Sequence, residues 1–373
     1  MRICLDIQPA VVQRAGVGRY TRALAQYLPA FANSDHITLW YFDFRRRGED
    51  PALTSKCVNI RAIRWFPGRA VRYAWKVWNW PPLDWFLGPA DLFHFPNFVR
   101  SPLRRGRSVT TIHDVSFLRF PEHAEPANLA YLRSRIKDTV IRSDAILTDS
   151  AFSADEIADT LGVPRHRIFP TPLGLDPGLG PPASDRIATD RAALGLEKPY
   201  LLHVGTLEPR KNLVFLVKVF DRLTSFDGQL VLAGMRGWKI EPLLAAIRAA
   251  RRASDIRVLD YVPECRLPGL YAGAELMVFP SLYEGFGLPP LEAMACGAPV
   301  LASAIPVLRE VLGSAADLVP GFDPDAWTHA ITTLLADADR RNDLRRRGFA
   351  RAARFTWQET ARLTWDVYRK VAS

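Results

Sequence analysis

Phe279-Pro-Ser-Leu-Tyr-Glu-Gly-Phe-Gly-Leu-Pro-Pro-Leu-Glu-Ala-Met-Ala-Cys-Gly-Ala-Pro-Val300 is the stretch from which the rest of the chain is read. An apolar, strand-like run ends at Pro280, a glycine-bearing loop follows, Pro289 suits the first turn of a helix, and Glu292 lies within that turn. The pattern predicts an anion site beside two carboxylates. Backbone N–H groups of Phe286, Gly287 and Leu288 at the helix tip face a phosphate, and glycine lets it come close. Glu284 and Glu292 then accept hydrogen bonds from hydroxyls on either side. Taken singly, Glu292 also fits a residue that complements the helix dipole, and Glu284 a solvated loop residue.

Outward from this stretch, strand-like runs alternate with helical patterns. Towards the N-terminus they are Met1 to Ile7, Thr38 to Phe42, Asp91 to Phe95, Val109 to Ile112 and Ala145 to Thr148. Beyond the middle come Tyr200 to Val204, Gln229 to Ala233, Ile256 to Tyr261, Leu276 to Pro280 and Pro299 to Ala302. Between the two series, Pro170 to Pro182 carries five prolines and three glycines in thirteen residues, which neither a helix nor a central strand tolerates. The chain is therefore read as α/β, with two Rossmann-like doubly wound domains over 1–175 and 183–353. A C-terminal helix over 354–373 carries Trp357, Ala361, Trp365, Tyr368 and Ala372 on one face. Ser153 with Glu156 reads as a capping box. In open α/β sheets ligands sit at the carboxyl ends of strands, and between two such domains a cleft is expected.

Composition agrees with two globular domains. The 373 residues exceed the roughly 250–300 at which one core stops growing, and 48% hydrophobic with 24% charged residues excludes wholesale disorder. No apolar run reaches the roughly 18 residues of a membrane span, and Asp6 interrupts the N-terminal apolar stretch, so a cytoplasmic protein is expected. Cys4, Cys57, Cys265 and Cys296 form no CxxC pair and read as reduced structural thiols. Forty-nine Lys and Arg against 39 Asp and Glu leave a net charge of +10, which points to an anionic partner. No zinc-finger, RNP-type or lysine-rich segment supports nucleic acid as that partner.

The Glu284-x7-Glu292 spacing in its Gly-Phe-Gly-Leu setting resembles the signature of retaining glycosyltransferases of family 4, which have the GT-B fold. His203-Val-Gly-Thr-Leu-Glu-Pro-Arg-Lys-Asn212 is similar to that family's donor-phosphate loop. Thr111-Ile-His-Asp114 resembles its N-domain strand end, and Gly16-Val-Gly-Arg-Tyr20 its first glycine loop. The resemblance implies an N-terminal acceptor domain, a C-terminal nucleotide-sugar domain and a last helix that crosses back to the N-domain. It implies that Arg210 and Lys211 hold the donor diphosphate, that Glu284 contacts the donor sugar and Glu292 the ribose, and that His113 lies by the transferred sugar. Gly16, Gly18, Gly285, Phe286, Gly287 and Leu288 complete the implied donor site. His113 and Asp114, adjacent on a strand, point to opposite faces and make no dyad.

In the family's front-face reaction the leaving diphosphate accepts the acceptor's proton, so no strong protein base is implied. GDP-mannose is the donor suggested by the loop at 205–212 and by Asp91-Leu-Phe-His-Phe-Pro-Asn-Phe98, which look like those of bacterial mannosyltransferases. No cofactor or metal is expected: Asp323-Pro-Asp325 and Asp337-Ala-Asp339 match a bare metal-binding pattern but lie late in the chain, and a helix cap accounts better for the first. The acceptor is expected to be a glycan or lipid-linked glycan in surface polysaccharide synthesis. A nucleotide-sugar epimerase and an inactive sugar-nucleotide-binding subunit are the rival readings.

Arg61, Arg64, Arg69, Arg72 and Lys76 are interleaved with Trp65, Phe66, Tyr73, Trp75, Trp78 and Trp80, without an acidic residue. Such a stretch fits an anionic membrane surface, and equally fits core aromatics beneath a solvated arginine face.

Overall fold

The computed structural model describes residues 1–13, 16–44 and 58–373. Among them lie two wholly parallel sheets. The first has seven strands in the order β3-β2-β1-β4-β5-β6-β7: β1 Arg2–Asp6, β2 His36–Phe42, β3 Val58–Ile63, β4 Leu92–Phe95, β5 Arg107–Thr111, β6 Ala145–Thr148 and β7 Ile168–Pro170. The second has six in the order β10-β9-β8-β11-β12-β13: β8 Tyr200–Val204, β9 Gln229–Ala233, β10 Ile256–Leu259, β11 Leu276–Phe279, β12 Val300–Ser303 and β13 Asp317–Val319.

Central strands read as unbroken apolar runs because helices cover both faces of a parallel sheet. Every residue of β6, β9, β11 and β12 is buried. The strands that the apolar pattern does not announce, β3, β7 and β13, all lie at sheet edges. They are short or only half covered, so alternation and length are both weak signals there.

The chain divides into two compact units. One comprises Met1–Arg119, Pro126–Gly174 and Trp357–Ser373, the other Phe120–Glu125 and Leu175–Thr356. Strand order reverses between β1 and β4 in the first unit and between β8 and β11 in the second. At such a reversal successive crossovers leave in opposite directions, which opens a crevice above the strand ends.

The helix Trp357–Ala372 belongs to the first unit. It buries Trp357, Ala361, Trp365 and Tyr368 in the core formed with Leu24, Leu28 and Leu147, while Ala372, expected on the same face, is exposed at its end. Thr360 Oγ1 donates to the Pro172 carbonyl at 2.6 Å, and the Tyr368 hydroxyl meets His94 Nδ1 at 2.6 Å.

Local capping corrects one expectation. The helix Ala151–Leu161 starts one turn earlier than a Ser153 cap requires: Ser150 is the N-cap and accepts from the Ser153 amide at 3.0 Å. Glu156 instead forms a two-bond pair with Arg119, at 2.8 and 2.9 Å. Asp323 caps Pro324–Ala336 and Asp337 caps Ala338–Ala352, which occupies the first aspartate of each Asp-x-Asp pair. Cys4 and Cys296 are buried free thiols pushed up to about 12 by burial, and Cys265 is free and exposed; Cys57 lies outside the described residues.

Trp365→Ala empties a fully enclosed site and should lower the unfolding free energy of the first unit by about 3–5 kcal/mol in urea denaturation. A loss below about 1 kcal/mol would show that the last helix does not complete this core.

Candidate active site

Two loops meet at the carboxyl ends of β8 and β11, residues 205–212 and 280–287. The Leu282 amide donates to the Arg210 carbonyl at 2.9 Å and ties them together. Arg210 and Lys211 occupy the 3-10 turn Pro209–Lys211, just ahead of the helix Leu213–Phe220. Arg210 donates to the Tyr283 carbonyl at 2.8 Å, to Glu284 Oε2 at 2.8 Å and to Glu208 Oε1 at 2.7 Å. Lys211 Nζ donates to Glu284 Oε1 at 2.6 Å.

Lys211 and Glu284 are each only 6% exposed, and Glu208 is also buried. Burial works against the charge on Glu284, yet Arg210 and Lys211 outweigh it and hold the carboxyl down at about 2. The cluster therefore carries two cations and two carboxylates. The sequence expectation of two cations awaiting a diphosphate is modified accordingly: both are already engaged. A carboxylate offers about four acceptor positions, so Glu284 retains capacity for a sugar hydroxyl while holding both.

The helix Leu288–Ala295 follows directly. Its first N–H groups have no carbonyl a turn earlier within the helix, and Pro289 and Pro290 carry none, so the tip presents the amides of 286–288. Gly287 sits at φ 107°, and a Cβ there would stand 2.6 Å from Leu308 Cδ2. Only glycine satisfies both constraints. Gly285 lies in the same loop, beside Glu284. Glu292 is buried in this helix and accepts the Tyr271 hydroxyl at 2.7 Å, whereas Glu284 pairs with the cations, so the two glutamates stand in different surroundings.

His203, on β8, is buried against Phe279 with a ring separation of 5.3 Å. Burial, reinforced by Lys211, pushes it down to about 3, so it is neutral and donates from Nδ1 to the Val278 carbonyl at 3.2 Å.

His113, Gly16 and Gly18 lie in the first unit. His113 follows β5 and pairs not with Asp114 but with Asp149, just beyond β6: Nδ1 lies 3.0 and 2.9 Å from its two carboxylate oxygens. Nε2 faces the Pro96 carbonyl at 3.1 Å. The Pro96 carbonyl only accepts, so Nε2 donates; burial pushes the Asp149 carboxyl up, and opposite its ionised form Nδ1 donates too, which makes the ring an imidazolium. Burial opposes that charge, but Asp149 and the carbonyl overcome it and raise the proton affinity above that of an ordinary histidine. His94 next to it is the converse, pushed down to about 3 by burial and by the charge on His113.

Tyr20, on the helix Val17–Tyr27, sets its ring edge-on to His113 at 5.0 Å and shares a hydrogen bond with Thr111 at 3.0 Å. Gly16 precedes this helix as N-cap, with open space where a side chain would stand. Gly18 has a packing reason of its own: a Cβ would come within 2.0 Å of the Gln13 carbonyl oxygen.

In the basic aromatic stretch, Trp75 is buried and donates to the Pro81 carbonyl at 2.7 Å. Trp65, Phe66, Tyr73, Trp78, Trp80 and Trp85 are exposed, Trp65 by 68% and Trp78 by 67%, so the core reading holds only for Trp75. Arg61 donates to the Leu87 carbonyl and Arg64 pairs with Asp43, while Arg69, Arg72 and Lys76 extend from the helix Gly68–Trp78. No helix among the described residues is long and apolar enough to cross a membrane.

Sequence reading missed Asp149, Glu208 and the paired state of the cations. Thr148-Asp149 stands at the end of an apolar run, the position that singled out His113, and the same rule would have found it.

Residues 186–351 match the family model described as glycosyl transferases group 1, and residues 14–179 that described as glycosyltransferase family 4. Across 99% of its length the chain is 32% identical to an O-antigen chain mannosyltransferase B of Escherichia coli, all of which is covered. Over 62% of its length it is 30% identical to a serotype-specific mannosyltransferase WbdA of Escherichia coli, of which 29% is covered. A sucrose-phosphate synthase from Thermosynechococcus elongatus aligns with a TM-score of 0.74 at 21% identity, over 99% of this chain and 98% of that one. At that identity the likeness shows the fold, two parallel-sheet Rossmann-like domains of GT-B type.

Because its folded proton affinity is raised, His113 contributes stability that is complete below the ordinary histidine pKa and is lost as pH rises through the raised value. Nitrogen-15 NMR of the imidazoles at pH 7 should show both His113 nitrogens protonated. Asp149→Asn, which leaves burial as the dominant influence, should leave one bare. A bare nitrogen in the unmodified protein would overturn the assignment.

Proposed function

The chain belongs to glycosyltransferase family 4, and from that premise we propose that it transfers mannose from GDP-mannose, with retention and without a metal ion, to a glycan or lipid-linked glycan during surface polysaccharide synthesis. The observation that carries this reading is the buried Arg210–Lys211–Glu284 cluster beside the amides of 286–288. The names of the two mannosyltransferase relatives support the sugar and the pathway class.

In the reaction, the bond between the sugar's anomeric carbon and the diphosphate oxygen breaks, and one to the acceptor oxygen forms on the same face. The acceptor's proton passes to the leaving diphosphate. Arg210, Lys211 and the helix-tip amides neutralise the charge that grows on that leaving group. Glu284 orients a sugar hydroxyl with its remaining lone pairs, and Glu292 takes the ribose. His113, with both nitrogens donating, acts as a fixed positive charge near the sugar and not as a base. Positive side chains do the work that a metal ion does in other transferases, and Asp323 and Asp337 are engaged in helix caps.

The exposed tryptophans beside Arg69, Arg72 and Lys76 support peripheral attachment to an anionic membrane at the inner face, where a lipid-linked acceptor would be met.

Lys211→Ala should slow transfer at saturating donor at least about a hundredfold, since a preorganised charge donor is worth about 3–4 kcal/mol. Transfer by the unmodified protein should persist in EDTA, and GDP-mannose should raise its melting temperature more than UDP- or ADP-sugars do. Near-normal turnover of the variant would remove the role given to Lys211, and strict dependence on added Mg²⁺ or Mn²⁺ would remove the metal-free reading.

Flotation with vesicles containing anionic lipid should recover the protein, and Trp65→Ser with Trp78→Ser should reduce recovery about tenfold or more. Equal recovery of the variant would exclude this surface as the membrane contact.

A further inference from the structure

A pocket of about 470 Å³ opens within the first unit at the carboxyl ends of β1, β2 and β4, where strand order reverses. Four cations line it, Arg72, Lys76, Arg100 and Arg135, against a single carboxyl, Asp6. None of the four forms an ion pair with a carboxylate among the described residues. Arg135 is 8% exposed and spends its guanidinium hydrogens on neutral acceptors, the Trp75 carbonyl at 3.0 Å and Asn79 Oδ1 at 3.3 Å. Arg100 donates to Ser108 Oγ at 3.1 Å.

Asp138 and Asp144 answer Arg100 from outside the pocket, but Arg72, Lys76 and Arg135 have only Asp6 beside them in its lining, and positive charge so collected in a partly desolvated pocket is relieved by a ligand of the opposite sign. The pocket's own carboxyl offsets it only in part: burial pushes Asp6 up to about 7, with the Gln8 amide and then Arg72 pulling the other way. Three guanidinium forks with an ammonium suit a multiply charged oxyanion.

The remaining wall is mixed, with Gln8, Gln13 and Asn97 beside Phe42, Tyr73 and Tyr131, and its aromatic part leads outward. Phe42 packs at 6.3 Å on Phe86, and Phe86 stacks at 5.3 Å on the exposed Trp65. Tyr73, also lining the pocket, packs at 6.3 Å on the exposed Trp78. Apolar surface thus runs from the cationic pocket to the aromatic face of the helix Gly68–Trp78.

We propose that this pocket binds the phosphate or diphosphate of an acceptor whose apolar chain lies along the adjoining aromatic surface. Calling the ligand an acceptor rests on the transferase reading above; the binding itself does not. Arg72 and Lys76 grip the oxyanion from the solvent side, Arg100 and Arg135 from below, and Asp6 limits the affinity by repelling it.

Calorimetric titration with geranyl diphosphate, inorganic pyrophosphate and geraniol tests this on the full chain. Geranyl diphosphate should bind the unmodified protein at least tenfold more tightly than either other probe. Binding should weaken at least tenfold in Arg72→Gln with Lys76→Gln, two exposed positions whose change leaves the core intact, and should tighten in Asp6→Asn. It should be unchanged in Lys211→Ala, which separates this pocket from the donor cluster. Equal binding of pyrophosphate would overturn the apolar half of the proposal, and equal binding of geraniol the anionic half. Loss in Lys211→Ala, or no loss in the double variant, would place the ligand elsewhere and overturn it entirely. Nucleotide binding by the unmodified protein, followed by thermal shift, reports separately on the transferase reading: if it is seen while geranyl diphosphate fails to bind that same protein, the pocket proposal falls alone.

Discussion

Burying Lys211 and Glu284 costs several kcal/mol per ion, and partners keep both charged: Glu284 answers Lys211, while Arg210 and then Lys211 answer Glu284. Arg210 completes the arrangement by spanning Glu208, Glu284 and the Tyr283 carbonyl, so one side chain fastens two loops. The surrounding architecture serves this pairing. Parallel β8 and β11 bring the two loops together, and Gly287 allows the chain to turn into the helix whose tip adds uncompensated N–H groups. A neutral cluster of this kind is preorganised: its cations are already positioned and need little movement to meet an anion.

The same economy is seen in the first unit, where two neighbouring histidines are driven in opposite directions. His94, between a tyrosine and a threonine hydroxyl, has no charge to answer and stays neutral. His113, between a carboxylate and a carbonyl, must keep both protons. Their separation follows from what each nitrogen faces, not from burial, which opposes charge on both. Tyr20 joins the two, touching His113 with its ring and Thr111 with its hydroxyl, so the helix behind the first glycine loop fixes the environment of the charged ring.

Legibility in the sequence followed burial. β6, β9, β11 and β12, buried on both faces, announce themselves as apolar runs, and the loop at 205–212 and the Gly-Phe-Gly turn are legible too, because local backbone geometry dictates their residue types. Edge strands β3, β7 and β13 did not, since one open side relaxes the demand for apolar residues. Ser153-x-x-Glu156 has the spacing of a capping box, but spacing alone does not reveal that the helix begins a turn earlier, at Ser150.

What the amino-acid order determines by itself is the succession of strands and helices, the glycines that the backbone requires and the family to which the chain belongs, because each is encoded over a few neighbouring residues or in a fixed spacing. Which charges meet is a different matter. That His113 takes Asp149 and not Asp114, that Lys211 is already paired with Glu284, and that Arg72, Lys76, Arg100 and Arg135 gather around one aspartate was decided only by the tertiary fold. Electrostatic partners are set by distance and by the water excluded between them, and neither quantity exists until the sheets have brought remote segments together.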